Sequence, residues 1–230
     1  NLNPQAIRDK AFYDKIMERL ELNPVYSERK LKAMAEKGIR DLREKQLSDG
    51  SWGWFGGADR GDPVMTAHVV HGLKIAGSTV KLPGNMLLRA VSWLTGHQNR
   101  QLALLVKGDA YRKLEKQPDG PATQKAIREL GDYRLTASAS DVLIYSVLAE
   151  NGVRNLQMER YLFRDRLELP VISQIQLAEI LLDAHRMDDF KEIMPVISQF
   201  LQQDDSLQTA WLRLPNQGYW WRWYGSNVAT

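Results

Sequence analysis

His68 and His71 stand three residues apart, a spacing that lets two rings reach one metal ion from a single helical face. No third ligand lies close in sequence and no His-Glu-x-x-His pattern occurs, so packing or a partner's hydrogen bond is the favoured reading. His97 and His185 complete the four histidines and fall near expected helix ends, where partial positive charge complements the helix dipole. Two acidic pairs, Asp188-Asp189 and Asp204-Asp205, invite comparison with magnesium-binding clusters, which must face an apolar cavity. Their surroundings read otherwise: Asp188 as an N-cap opening a helix, Asp204-Asp205 as the polar turn closing it. Trp220, Trp221, Trp223 and Tyr224, with Arg222 among them, form the densest aromatic cluster. Such rings could stack on sugars or bases. The favoured alternative has alternate rings filling the rim of the helical body while the others cover a neighbouring domain. Trp52, Trp54 and Phe55 divide similarly, into one buried ring and others available for contact. Nucleophile-elbow, Ser-x-x-Lys, P-loop and dinucleotide fingerprints are missing, and Gly53, Gly56 and Gly57 lack the strand that a nucleotide fold requires.

The 230 residues, 43% hydrophobic and 26% charged, suffice for one large domain or two small ones. The absence of cysteine removes disulfides, thiolate zinc sites, cysteine nucleophiles and any thioester built on this stretch. A net charge of +3 with no concentrated basic run argues against nucleic acid as a partner. No apolar run approaches the ~20 residues of a membrane span, and no cofactor is expected.

Helical periodicity dominates. The pattern predicts helices over Ser27–Gln46, Asp62–Gly77, Asn85–Gly96, Arg100–Lys116, Pro121–Gly131, Thr136–Gly152, Leu156–Phe163, Pro170–Arg186 and Asp188–Gln203. Asp62-Pro63 reads as an N-cap with proline at the first helical position. Gly77, Gly96, Gly131 and Gly152 follow expected helix ends, where a left-handed cap is needed. Nine short helices must pair to bury their apolar stripes, so the fold class is all-α, with bundle, solenoid and closed ring all open.

One stretch narrows the choice. Gln46 ends a helix, Asp49-Gly50 forms a turn, and Trp52 folds back, so that the Gln46 amide could cap the backbone beneath the indole. This Gln…Gly-x-Trp turn, whose residues are Gln46, Asp49, Gly50, Trp52 and Trp54, resembles the QW motif. That motif staples helical hairpins in α/α-toroids, both in terpene cyclases and in thioester domains of the alpha-2-macroglobulin and complement superfamily. The continuation, Trp52-Gly-Trp-Phe-Gly-Gly followed by Met65-Thr-Ala-His-Val-Val-His-Gly-Leu, resembles the thioester-domain stretch of bacterial alpha-2-macroglobulins. Pro170 to His185 and Trp220 to Ser226 are similar to later segments of the same family, and residues 100–135 match nothing in it.

The resemblance implies an α/α-toroid over residues 28–230, incomplete at its C-terminus, preceded by an arm or first helix over residues 1–27. It implies a structural or trapping domain of a protease inhibitor rather than an enzyme, at a periplasmic or cell-surface location. The partners would be other domains of the same longer chain and, indirectly, target proteases, with no membrane insertion by this region. Trp220, Trp221, Trp223 and Tyr224 would be a domain contact. The family's Cys-x-Glu-Gln does not occur here and would fall close to or before Asn1, and the chain stops where the family begins another helix. Both ends therefore read as cut from a longer polypeptide. Two alternatives stand beside this reading: an α/α-toroid enzyme acting on an isoprenoid or a carbohydrate, and a helical interaction module.

Overall fold

The computed structural model describes residues 10, 12–16, 28–55, 59–204 and 209–212. Among the described residues the fold is all-α with one two-stranded antiparallel sheet. Helix α1 spans Glu28–Lys45, α2 Pro63–Ala76, α3 Met86–Glu115, α4 Pro121–Leu130, α5 Ala139–Glu150, α6 Leu156–Arg164, α7 Val171–Asp183 and α8 Met187–Ser198. A 3-10 turn, Arg166–Glu168, links α6 to α7. Strands β1 (Leu201–Asp204) and β2 (Thr209–Leu212) pair antiparallel, with Leu201 opposite Leu212 and Asp204 opposite Thr209.

Local chemistry explains most boundaries. Asp62 accepts from the Met65 N–H at 2.7 Å and Pro63 opens α2. Ser138 and Asp141 form a reciprocal capping box at the start of α5. Gly152, at φ 79°, closes α5 with the Val153 N–H reaching back to the Leu148 carbonyl.

Four sequence expectations need correction. Residues 85–96 and 100–116 belong to one 30-residue helix, about 45 Å long. Gly96 is a weak breaker, costing ~1 kcal/mol in a helix interior, and the stripe Leu94, Gln98, Leu102 and Leu105 buried on either side outweighs it. His97 accordingly sits inside a helix, not near an end. Gly77 caps α2 in right-handed geometry, at φ −63°. The left-handed cap of α7 falls on His185 instead, at φ 57°, with the Arg186 N–H bonded to the Leu181 carbonyl at 2.9 Å. Finally, α8 begins after Arg186 and ends at Ser198, so Asp188 and Asp189 lie in its first turn and Asp204 ends a strand.

Helix α5 is the hub, packing against α2, α3, α6 and α7, while α7 and α8 pack on each other. Two apolar clusters result. The first unites Ile39, Trp52, Val70, Leu73, Met86 and Leu94 with Ile144, Val147 and Leu148. The second unites Leu102, Leu105, Val142 and Tyr145 with Leu162, Leu177, Leu181 and Ile193. Among the described residues no helix is long and apolar enough to cross a membrane.

Candidate functional site

The junction between α1, α2 and α3 gathers the residues of the Gln…Trp turn. Helix α1 ends at Lys45, and the Gln46 side chain turns inward. Its Nε2 donates to the Gly50 carbonyl at 2.9 Å and to the Met86 carbonyl, at the start of α3, at 2.9 Å. One amide thus closes the turn locally and ties it to a helix forty residues away. Gly50 stands at φ 98°, and a Cβ there would lie 2.8 Å from the Arg89 carbonyl oxygen. Both the dihedral and the close approach demand glycine.

Trp52 is 3% exposed and its Nε1 donates to the Leu42 carbonyl at 2.8 Å, so the indole folds back beneath the last turn of α1. Its main chain is held as firmly. The Trp52 N–H donates to Thr66 Oγ1 at 3.0 Å, and the Thr66 hydroxyl donates to the Trp52 carbonyl at 3.2 Å. Asp49 collects the outer side of the turn. Its Oδ1 accepts from the Ser51 N–H at 3.0 Å, and its Oδ2 accepts from Trp93 Nε1 at 2.9 Å. Partial burial raises the Asp49 pKa, but the hydrogen bonds from Ser51 and Trp93 outweigh it and hold the carboxyl below the usual value. Arg89 donates to the Ser48 carbonyl at 2.6 Å and the Leu47 carbonyl at 3.2 Å. Gln46, Trp52 and Thr66 all direct their polar atoms at main-chain groups. Their arrangement is that of a joint, which fixes three helices against one another.

Trp54 is 45% exposed and Phe55 is fully turned to the surface. Trp220, Trp221, Trp223 and Tyr224 lie outside the described residues. The two paired histidines go separate ways: His68 is exposed, and His71 Nδ1 lies 2.8 Å from Glu150 Oε2 on α5. Among the described residues no group of three or more His, Cys, Asp and Glu is placed to hold a metal. His97 stacks on Trp93 with ring centroids 6.0 Å apart, and burial, with Arg100 nearby, lowers its pKa.

No family model, curated protein or solved structure matches this chain.

A second polar constellation escapes the sequence reading. Glu159 of α6 is wholly buried, accepting from the Tyr145 hydroxyl at 2.6 Å and from Arg186 at 2.7 Å. Burial first, then the Glu159 carboxylate, pushes the Tyr145 pKa up. Asp165 takes a bidentate grip from Arg164, at 2.6 and 2.8 Å, and accepts the Ala137 N–H at 2.7 Å. Arg164 also reaches Asp109 at 2.7 Å, and Tyr161 donates to the same carboxylate at 2.6 Å. Desolvation and that carboxylate raise the Tyr161 pKa to about 12. Arg134 grips Asp141 through both carboxylate oxygens, at 3.1 and 2.6 Å. Only the Ser138-x-x-Asp141 spacing was a readable signal here, as a capping box. Arg164 and Asp165 are neighbours, but Tyr145–Glu159, Arg186–Glu159 and Arg164–Asp109 join residues 14 to 55 positions apart, and nothing local marks them.

Proposed function

We propose that residues 28–230 are the α/α-toroid, thioester-domain-like region of a bacterial alpha-2-macroglobulin-like protease inhibitor, acting as its structural and trapping domain. The observation that carries this reading is the Gln46–Trp52 joint. The motif on which the resemblance rests is a three-way staple, with Gln46 tied to α3, the Trp52 indole to α1 and the Trp52 backbone to α2. A ring of helical hairpins needs such joints, because each hairpin must hold a set angle to the next. The all-α composition and the hub position of α5 fit the same architecture.

The function follows from shape. No residue here supplies a thioester sulfur. The domain would dock on other domains of a longer chain, in the periplasm or at the cell surface, and shift when a protease cuts elsewhere in the molecule. It would trap without turnover of its own.

The test uses the full-length parent protein, exposed to methylamine and weighed intact, and then to a protease with compaction followed by small-angle scattering. A methylamine adduct on a Cys-x-Glu-Gln upstream of Asn1 would make the parent a covalent trap and this region part of its thioester domain. Protease-triggered compaction without an adduct would make the trap steric. Neither compaction nor adduct, or turnover of an isoprenoid or glycan by residues 1–230, would refute the proposal.

A further inference from the structure

Tyr111 and Tyr133 stack on each other, with ring centroids 4.3 Å apart and ring planes 16° from parallel. Tyr111 lies near the C-terminal end of α3, and Tyr133 lies in the segment between α4 and α5. That segment is tied to α3 immediately after Tyr133. The Arg134 N–H donates to the Leu104 carbonyl at 3.0 Å, and the Arg112 guanidinium donates to the Leu135 carbonyl at 2.9 Å. Gly108 lets the two backbones touch there, since an added Cβ would lie 1.9 Å from the Arg134 carbonyl oxygen. The stack is therefore set by main-chain contacts and not by the rings alone.

The two rings are aligned head to head. Hydrogen bonding with Tyr133 is the first cause that raises the Tyr111 pKa, so the hydroxyls meet, and the Glu115 carboxylate one turn further along α3 adds to it. Parallel planes with adjoining hydroxyls set the ring carbons ortho to each oxygen opposite one another. Both residues are only partly buried, within reach of a dissolved oxidant. The other described tyrosines differ. Tyr145 is wholly buried against Glu159, Tyr161 is tied to Asp109, and Tyr13 meets Phe12 edge to face.

We infer that Tyr111 and Tyr133 form an oxidative cross-linking site, joined by a dityrosine carbon–carbon bond when a haem peroxidase charged with hydrogen peroxide oxidises the pair. Each phenol gives up one electron and its hydroxyl proton, that of Tyr111 toward Glu115. The two phenoxyl radicals combine ortho to ortho, and the two ortho hydrogens then shift to the oxygens and restore both phenols. The chain loses two electrons and two protons, and one hydrogen peroxide is reduced to two waters. The new bond closes the loop that carries α4 onto the end of α3. A disulfide cannot do this in a chain without cysteine. A cross-link of either kind stabilises chiefly by restricting the unfolded chain.

The experiment treats the intact chain, at low concentration, with hydrogen peroxide and a haem peroxidase. The expected product is a monomer that has lost two hydrogen atoms, fluoresces as dityrosine and yields one cross-linked peptide pair joining Tyr111 to Tyr133. Tyr111→Phe and Tyr133→Phe each keep a ring in the stack but remove one phenol. Each should lower the dityrosine of the monomer at least ~10-fold, and so should unfolding the chain in urea before oxidation, because coupling depends on the two rings being held together. If one variant fails to fold, the other carries the test. Tyr13→Phe should leave the yield unchanged. Absence of dityrosine from the oxidised monomer would overturn the proposal, as would cross-links that map to other tyrosines. Dityrosine found only between two copies of the chain would also overturn it, and so would a yield that survives both phenylalanine variants or urea.

Discussion

The two apolar clusters are tied together by different polar chemistry. Around the first, most ties run to the main chain and the buried ones come from neutral side chains: Gln46 to two carbonyls, Trp52 to one, and Thr66 to both backbone groups of Trp52. Around the second they run between charges. Asp141, Glu159 and Asp165 are all buried there, and each is met by an arginine. A neutral bond to a carbonyl contributes roughly 1 kcal/mol and places little at risk. A buried carboxylate adds little net stability while paired but is costly once its partner is lost. The first region therefore joins three helices through bonds that put little at risk when one is lost, whereas the second depends on each buried carboxylate keeping its arginine. Helices α3 and α5 cross both clusters, with Leu94 and Leu148 in one and Leu105 and Tyr145 in the other.

The largest expected effect tests the first region. Trp52→Ala should cost ~3–5 kcal/mol in denaturant unfolding, since it empties a buried site and leaves the Leu42 carbonyl unpaired. Trp54→Ala, at a half-exposed ring, should change stability by about 0.5 kcal/mol or less. Amide exchange should rise first in α1 and α2 while α7 and α8 stay protected. A uniform rise would show that the clusters open as one unit and would break the comparison.

Glu159→Ala should cost about 3 kcal/mol, because Arg186 and the Tyr145 hydroxyl lose their shared partner. Glu159→Leu combined with Arg186→Met should recover much of that loss. If the double variant is no better than the single one, the charges themselves hold this region.

Gly108→Ala comes next. A Cβ there would lie 1.9 Å from the Arg134 carbonyl oxygen, where the segment before α5 crosses α3, and overpacking of this kind costs ~1–3 kcal/mol. Gly38→Ala is the control. No atom lies within 4 Å of its added Cβ, so the helix should gain ~0.5–1 kcal/mol. Calorimetric melting of the two variants should therefore move in opposite directions.

The smallest effect is in pH. His97 has its folded pKa below the usual 6.5, chiefly through burial, so its contribution is fully present above that value. As pH falls below 6.5 the unfolded chain takes up the proton first, and stability declines through the folded pKa. Asp49, also lowered, adds a second loss as pH falls below its usual 3.8. His97→Gln should flatten the first part of the melting-temperature profile and leave the second. A profile unchanged by His97→Gln would remove His97 from the account.

Much of this molecule was legible in local sequence. Asp62-Pro63, Gly131 and Gly152 mark boundaries because capping and left-handed geometry are decided within a few residues. The all-α class follows from apolar spacing, and Gln46, Asp49, Gly50 and Trp52 stood out because their turn is compact in sequence. What they bond was not legible. The Met86 carbonyl, Thr66, Arg89 and Trp93 meet the turn only after α2 and α3 pack, and no local rule links positions forty residues apart. Long-range burial also overrode local signals. It carried α3 through Gly96, separated His68 from His71's partner Glu150, and gave the cap of α7 to a histidine. The sequence by itself determined the capped helix starts and the Gln46–Trp52 turn, since those energies are local. Only the tertiary structure decided which carboxylate meets which arginine, because burying a charge is tolerable only where packing delivers its counterpart.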